Sequence, residues 1–357
     1  MKTRTLLLLL ILPLMLAGCK KETVTRQPGI PSIPEGTLPV VFHVLYEDPA
    51  DPVQYPDASV FQKRIDQLNQ FYAATLFPQA ASQKVDVKFM LATHDPEGNE
   101  MNTPGIHAVH YNGAANMSAA NFLNSKRTLS SRDREILWDP NQYVNVWLFG
   151  FLQSPGTDDD ESNVTGISYL PYCTSANPLD LLVEWNGAIT QFPYYMHGIT
   201  LNNRYFQPSG TTLLDDEGMF TFCHEMGHYL GLRHAFSEPE DGEGDCDDPD
   251  NASDDGCSDT PKYDRTTYQT LFYAGRLPYS NPYLRQPCDG SALFLSTNVM
   301  DYYMGYRTNL TPQQKARIEH VLAYSPWIPR STAATKSLLE NFTGEITDER
   351  PEPILMY

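Results

Sequence analysis

The 357-residue chain reads as a mixed α/β protein, and three observations lead there. Two runs rich in β-branched and aromatic residues, Leu38–Tyr46 and Tyr143–Phe151, have the character of buried strands. Two segments, Asp57–Ala74 and Thr311–Tyr324, carry apolar residues at helical spacing behind residues suited to cap a helix. A further helical segment, Leu214–Gly231, carries histidines four residues apart, hence on one face. With 41% hydrophobic and 11% aromatic residues, the chain can fill a sizeable core. Its formal charge of −19 argues against a polyanionic partner such as nucleic acid.

The chain opens with Lys2 and Arg4, then an apolar run, Leu6–Leu16, then Leu16-Ala17-Gly18-Cys19. That is the shape of an export signal over residues 1–18, too short for a mature membrane span. Small residues before a cysteine resemble the lipobox of bacterial lipoproteins. The resemblance implies cleavage before Cys19 and lipid attachment to it, so that acyl chains hold the protein at a membrane. Lys20 and Lys21 after the cysteine then favour the outer membrane, on its cell-surface or periplasmic face. The alternative is a plain secretory signal with an incidental Cys19. Residues 19–37, with Pro28, Pro31 and Pro34, read as a flexible tether.

The body follows. Leu38–Tyr46 is a strand, and His43 within it is a core residue. Asp57–Ala74 is a helix with Asp57 or Ser59 as N-cap. Lys84–Ala92 alternates apolar and polar residues, as a half-buried strand does. Ile106–Tyr111 is a short strand, and Ser118–Arg134 holds one or two helical pieces. Tyr143–Phe151 is the second strong strand, and Gly166–Cys173 a shorter one. Ile189–Leu201 reads as a strand just upstream of the histidine helix, either at the sheet edge or as an ordinary inner strand. After the helix, Tyr263–Pro287 is aromatic and proline-rich. Thr311 caps a last helix with Pro312 at its first position. Residues 328–357 form a C-terminal tail.

The chemistry centres on His224-Glu225-x-x-His228-x-x-Gly231-x-x-His234. Two imidazoles one turn apart can bind one Zn²⁺. Glu225 lies beside them, where its carboxylate can take a proton from water at the metal. Gly231 ends the helix and lets the chain return with His234 as third ligand. Three protein ligands leave a fourth position open, the mark of a catalytic zinc site. Glu238–Pro261 is dense in acidic residues, which suits either Ca²⁺ or plain solvation. With Cys19 lipidated, Cys173, Cys223, Cys246, Cys257 and Cys288 remain, an odd number. Cys223 is read as a buried thiol, with a disulfide to Cys173 as the alternative.

The extended motif, together with Met300-Asp301-Tyr302 66 residues after His234, resembles the metzincin metallopeptidases. The finer match is to the pappalysin branch that includes ulilysin and the cytophagalysins. Supporting pieces are the run beginning Pro39-Val-Val-Phe-His-Val, the helix Gln62–Tyr72, Asp255–Pro261, Asn298-Val-Met-Asp-Tyr and Leu310-Thr-Pro-Gln-Gln. The resemblance implies a catalytic domain over residues 38–327 with an α/β (α+β) fold. A twisted sheet, a backing helix and the zinc helix would form an upper subdomain to about residue 231. An irregular lower part with a C-terminal helix would follow. It also implies Met300 as a floor under the zinc and Tyr302 as a hydrogen-bond donor to the developing oxyanion. It pairs Cys246 with Cys288 and puts possible calcium ligands at Asp255, Asp259 and Thr260. Residues 20–37 contain no cysteine, so latency through a cysteine on the zinc is not expected. Residues 302–307 contain no acid, so a preference for basic substrates is not carried over. The expectation is a monomeric zinc endopeptidase acting on extended peptides. Its rivals are a non-catalytic zinc-bearing adhesin and a metal hydrolase of non-peptide amides.

Overall fold

A computed structural model describes residues 36–185, 195–236, 246, 255–302, 304–330 and 353–356. The export signal, Cys19, the tether before residue 36, most of the acidic loop and most of the tail lie outside the described residues.

The first strand, β1 (Thr37–Tyr46), is buried along almost its whole length. A strand covered on both faces needs no polar alternation, which is why it reads as a continuous apolar run. Asp57 then caps α1 (Ala58–Tyr72) by accepting from the Ser59 amide, and Phe61, Ile65, Leu68, Phe71 and Tyr72 face the core. β2 (Lys88–Leu91) and β3 (Ile106–His110) both pair parallel with β1, one after the other along the same side. Two short helices, α2 (Ala119–Leu123) and α3 (Ser131–Glu135), precede β4 (Val144–Phe149), which pairs parallel with β1 on its other side. β5 (Gly166–Tyr169) and β6 (Ile199–Asn202) follow, with β6 parallel to β4 and β5 antiparallel to β6.

After α4 (Asn203–Phe206) comes the histidine helix α5 (Glu217–Tyr229). Beyond it lie α6 (Arg265–Tyr273), the two-residue strands β7 (Leu284–Arg285) and β8 (Phe294–Leu295), and α7 (Pro312–Tyr324). A last strand, β9 (Pro353–Met356), pairs antiparallel with β5. The main sheet runs β2-β1-β4-β6-β5-β9, with β3 also on β1. Side chains alternate across it. Val144, Val146 and Leu148 face the layer formed by α1, α5 and α7, while Trp147 and Phe149 face Phe122 and Leu123 of α2 on the opposite side.

Several expectations change in detail. Two strands are much shorter than their apolar runs: Lys84–Ala92 contributes Lys88–Leu91, and Gly166–Cys173 contributes Gly166–Tyr169. Of Ile189–Leu201, residues 189–194 lie outside the description, and the strand β6 begins only at Ile199. Paired with β4 on one side and β5 on the other, β6 is an inner strand, and the edge beyond it falls to β9, which covers β5. The aromatic stretch Tyr263–Pro287 contains a helix, α6, capped by Asp264. His43 is a core histidine as expected, held by Asn145 at 2.9 Å and by His107 at 2.9 Å. Among the described residues no helix is long and apolar enough to cross a membrane.

Candidate active site

The site begins with how α5 is held. Asp216 is its N-cap, and its carboxylate takes a hydrogen bond from the buried Arg64 of α1 at 2.8 Å. Arg64 also donates twice to the Phe206 carbonyl, so one guanidinium ties α1, α4 and α5 together. Burial alone would raise the Asp216 pKa, but the hydrogen bond and charge of Arg64, with Gln67, hold it below the usual carboxyl range. Glu217, in the first turn, accepts a two-pronged ion pair from Arg307 at 2.6 and 2.8 Å. The helix ends at Gly231, which takes φ +93°. A Cβ there would be strained and would also lie 2.6 Å from Val321 of α7. The Leu232 amide turns back onto the Gly227 carbonyl at 2.9 Å, and the chain then delivers His234.

His224, His228 and His234 meet in the interior, with exposures of 0%, 0% and 2%. Nε2 of His234 lies 3.1 Å from Nε2 of His224 and 3.1 Å from Nε2 of His228. His224 donates from Nδ1 to the Val299 carbonyl at 2.8 Å, and His228 donates from Nδ1 to the Leu232 carbonyl at 2.7 Å. Since a carbonyl only accepts, both rings carry their proton on Nδ1 and turn a bare Nε2 lone pair to the common centre. Burial, then the neighbouring His228 and His234, push the His224 pKa well below its ordinary value, which keeps it neutral as a ligand must be. Zinc–nitrogen bonds of about 2.0–2.1 Å in a tetrahedron put ligand nitrogens roughly 3.3 Å apart. The observed spacing and the fixed tautomers fit that ion. Among the described residues, this is the one group of His, Cys, Asp or Glu side chains placed to hold a metal.

Glu225 is fully buried, and neither carboxylate oxygen has a protein hydrogen-bond partner. Desolvation drives its pKa well above the ordinary carboxyl range. An unpaired buried carboxylate is costly, so its retention beside three ligand histidines points to chemistry. Gly166 at the start of β5 makes room for it: a Cβ there would lie 2.6 Å from Glu225 Cγ and 2.9 Å from its Oε1.

The floor is the segment Asn298–Tyr302. Met300 is fully buried, and a Cβ on Gly227 would lie 2.5 Å from its sulfur. Met300 therefore packs beneath the helical turn between His224 and His228. The Ala235 amide bonds to the Met300 carbonyl at 3.1 Å, locking this turn to the segment carrying His234. Asp301 anchors it by accepting from Tyr263 at 2.5 Å and from Ser296, with Arg285 at 3.7 Å. The Tyr302 ring lies 4.7 Å from the His234 ring and 4.8 Å from Phe236. Arg265 sits 4.9 Å above the Tyr302 ring and 5.0 Å above Phe236.

The structure thus brings together His224, Glu225, His228, Gly231, His234, Met300 and Tyr302. The expected disulfide joins Cys246 to Cys288, while Cys173 and Cys223 are buried free thiols and Cys257 is buried. The disulfide between Cys223 and Cys173 does not form. Asp255 and Thr260 hydrogen-bond to each other at 2.7 Å, and Asp259 accepts from Thr311 and Gln313 at the start of α7. These hydrogen bonds brace that loop. Gly166, Asp301 as an anchor and Arg265 were not singled out from sequence. A glycine opening an otherwise apolar strand was the available signal for the first, and nothing local signalled the others.

Residues 127–323 match the Peptidase_M43 family, described as pregnancy-associated plasma protein-A. Among solved structures, mirolysin in complex with compound 9 is similar at a TM-score of 0.51 and 20% identity, over 79% of this chain and 90% of that one. A mutant of promirolysin from Tannerella forsythia gives a TM-score of 0.52 at 19% identity, over 90% of each chain. At these identities the likeness concerns the fold alone. A search of curated proteins returned no match.

Proposed function

The chain belongs to the pregnancy-associated plasma protein-A family and is a metallopeptidase; from that premise we propose a zinc-dependent endopeptidase acting on extended peptides. The single observation that carries this reading is the unpaired, buried Glu225 carboxylate beside three histidines whose Nε2 atoms converge. His224, His228 and His234 would hold the ion, which supplies Lewis acidity for the scissile carbonyl and for the attacking water. Glu225 takes the proton from that water and returns it to the leaving amine. Tyr302 donates to the oxyanion that develops on the carbonyl. Met300 keeps the histidine turn in place from below. β5 is the strand whose Gly166 abuts Glu225, so its edge is where an extended substrate pairs by backbone hydrogen bonds.

The proposal extends to location: residues 1–18 direct export, Cys19 carries lipid, and a monomeric domain from residue 38 acts at the outer membrane. Palmitate labelling in cells should vanish in Cys19→Ala; labelling that persists refutes the anchor. The calcium reading rests on the acidic loop, and a rise in melting temperature of the zinc-loaded protein on adding calcium tests it. The activity itself is tested by profiling cleavage of a proteome-derived peptide library with and without a chelator. Internal cleavages that stop with chelator and return with zinc are expected. A library left intact by metal-replete protein overturns the reading.

A further inference from the structure

The edge of β5 that faces away from β6 already has an occupant. Residues Pro353–Met356 pair with it antiparallel, in the register Gly166 opposite Met356, Ile167 opposite Leu355, Ser168 opposite Ile354 and Tyr169 opposite Pro353. Met356 is thus level with Gly166, the residue whose missing Cβ makes room for Glu225. The backbone of β9 also comes within 8 Å of that of α5. A strand added to a sheet edge satisfies the N–H and C=O groups that the edge would otherwise offer to another chain. Two strands cannot hold one edge together.

We propose that β5 is a strand-docking surface whose resident occupant is the chain's own segment Pro353–Met356, and that this segment competes with substrate. The proposal rests on the peptidase reading of the same site and adds its regulation. The occupant is covalently joined to α7 through residues 331–352, so its competition is intramolecular. A tethered segment acts at an effective concentration on the order of millimolar, so docking with a dissociation constant of about 0.1 mM raises the apparent KM about tenfold. Its sequence, Pro353-Ile354-Leu355-Met356, contains no charge, and proline at the first strand position is tolerated at an edge. Substrate of high affinity, or a surface that captures the tail, would free the edge.

The test uses the full chain, zinc-loaded, carrying Ile354→Pro together with Leu355→Pro. The pair deletes both central N–H groups of β9, whichever of them faces β5. For an extended peptide substrate, KM should fall about tenfold with kcat unchanged. A synthetic peptide of residues 351–357 should then inhibit the variant competitively. An unchanged KM, or a peptide that fails to compete, overturns the proposal. A second measurement does not depend on turnover: anisotropy of a labelled extended peptide binding to Glu225→Ala, with and without the two prolines. Binding tightened about tenfold by the prolines supports the docking surface even if the parent chain cleaves nothing, in which case the peptidase reading alone falls. Equal binding in the two backgrounds overturns the docking surface and leaves the peptidase reading standing.

Discussion

His197 offers a quantitative test of the packing between β5, the end of α5 and the segment after α7. It is 1% exposed, and neither ring nitrogen has a hydrogen-bond partner. Its titratable ring neighbours are phenols that stay neutral in acid: Tyr169, Tyr172, Tyr195 and Tyr229, with Trp327 closing the box. Burial pushes its pKa down to about 3. An unfolded histidine titrates near 6.5, so between those values the unfolded chain binds a proton that the folded chain refuses. Stability is therefore untouched above about pH 6.5 and falls as pH drops, by about 1.4 kcal/mol per unit, until the folded value is reached. At pH 5 the loss from this one residue is about 2 kcal/mol. His197→Phe keeps an aromatic ring in the box and removes the titration, and deleting two orphan polar atoms is neutral or stabilising at pH 7.5. Urea unfolding of parent and variant at pH 7.5, 6 and 5 should show the variant gaining about 2 kcal/mol on the parent across that range. A difference independent of pH would refute the reasoning, because it would mean that folding does not displace the His197 titration.

Three further outcomes follow from the packing around the site. Asp216→Ala leaves Arg64 as an uncompensated buried charge and uncaps α5, so unfolding free energy should drop by about 3–5 kcal/mol; Arg64→Met with Asp216→Leu should cost clearly less than the two single changes added, and additivity would contradict a coupled pair. Because Asp216 and Asp133 titrate below the usual carboxyl range, their stabilisation is complete above about pH 4 and drains away as pH falls through their folded values; acid unfolding of Asp133→Asn monitored by circular dichroism should lose part of that steepness. Replacing Cys246 and Cys288 together by serine opens a closure spanning 42 residues and should destabilise the chain by about 4 kcal/mol, read as a lower urea midpoint and absent if the bond is not formed in the native protein.

Much of the site was legible in the sequence because its parts are local. Helical period places His224 and His228 on one face, and Gly231 marks where the chain must turn before His234. The cap Thr311 with Pro312, and the long buried run of β1, were equally plain. What stayed hidden depends on pairing between distant residues. β5 and β6 are four residues each, too short for a period to declare itself, and only their order in the sheet decides which is inner. β9 is four apolar residues within a polar tail, and nothing in its composition names β5 as its neighbour. Arg265 reaches Tyr302 through α6, a helix whose apolar face is nearly masked by surrounding tyrosines and prolines. The acidic loop is a separate case, since nothing in its composition shows that Asp255 and Asp259 brace their own turn and the start of α7.

The central claim is that three histidines hold one zinc ion while Glu225 moves the proton. Its most direct measurement is kcat/KM of Glu225→Ala on a peptide substrate, with zinc content determined on the same sample. The account predicts about one zinc per chain, as in the parent, and a loss of general base catalysis of about 10²–10⁴-fold. A metal-replete variant that keeps parental turnover would contradict it.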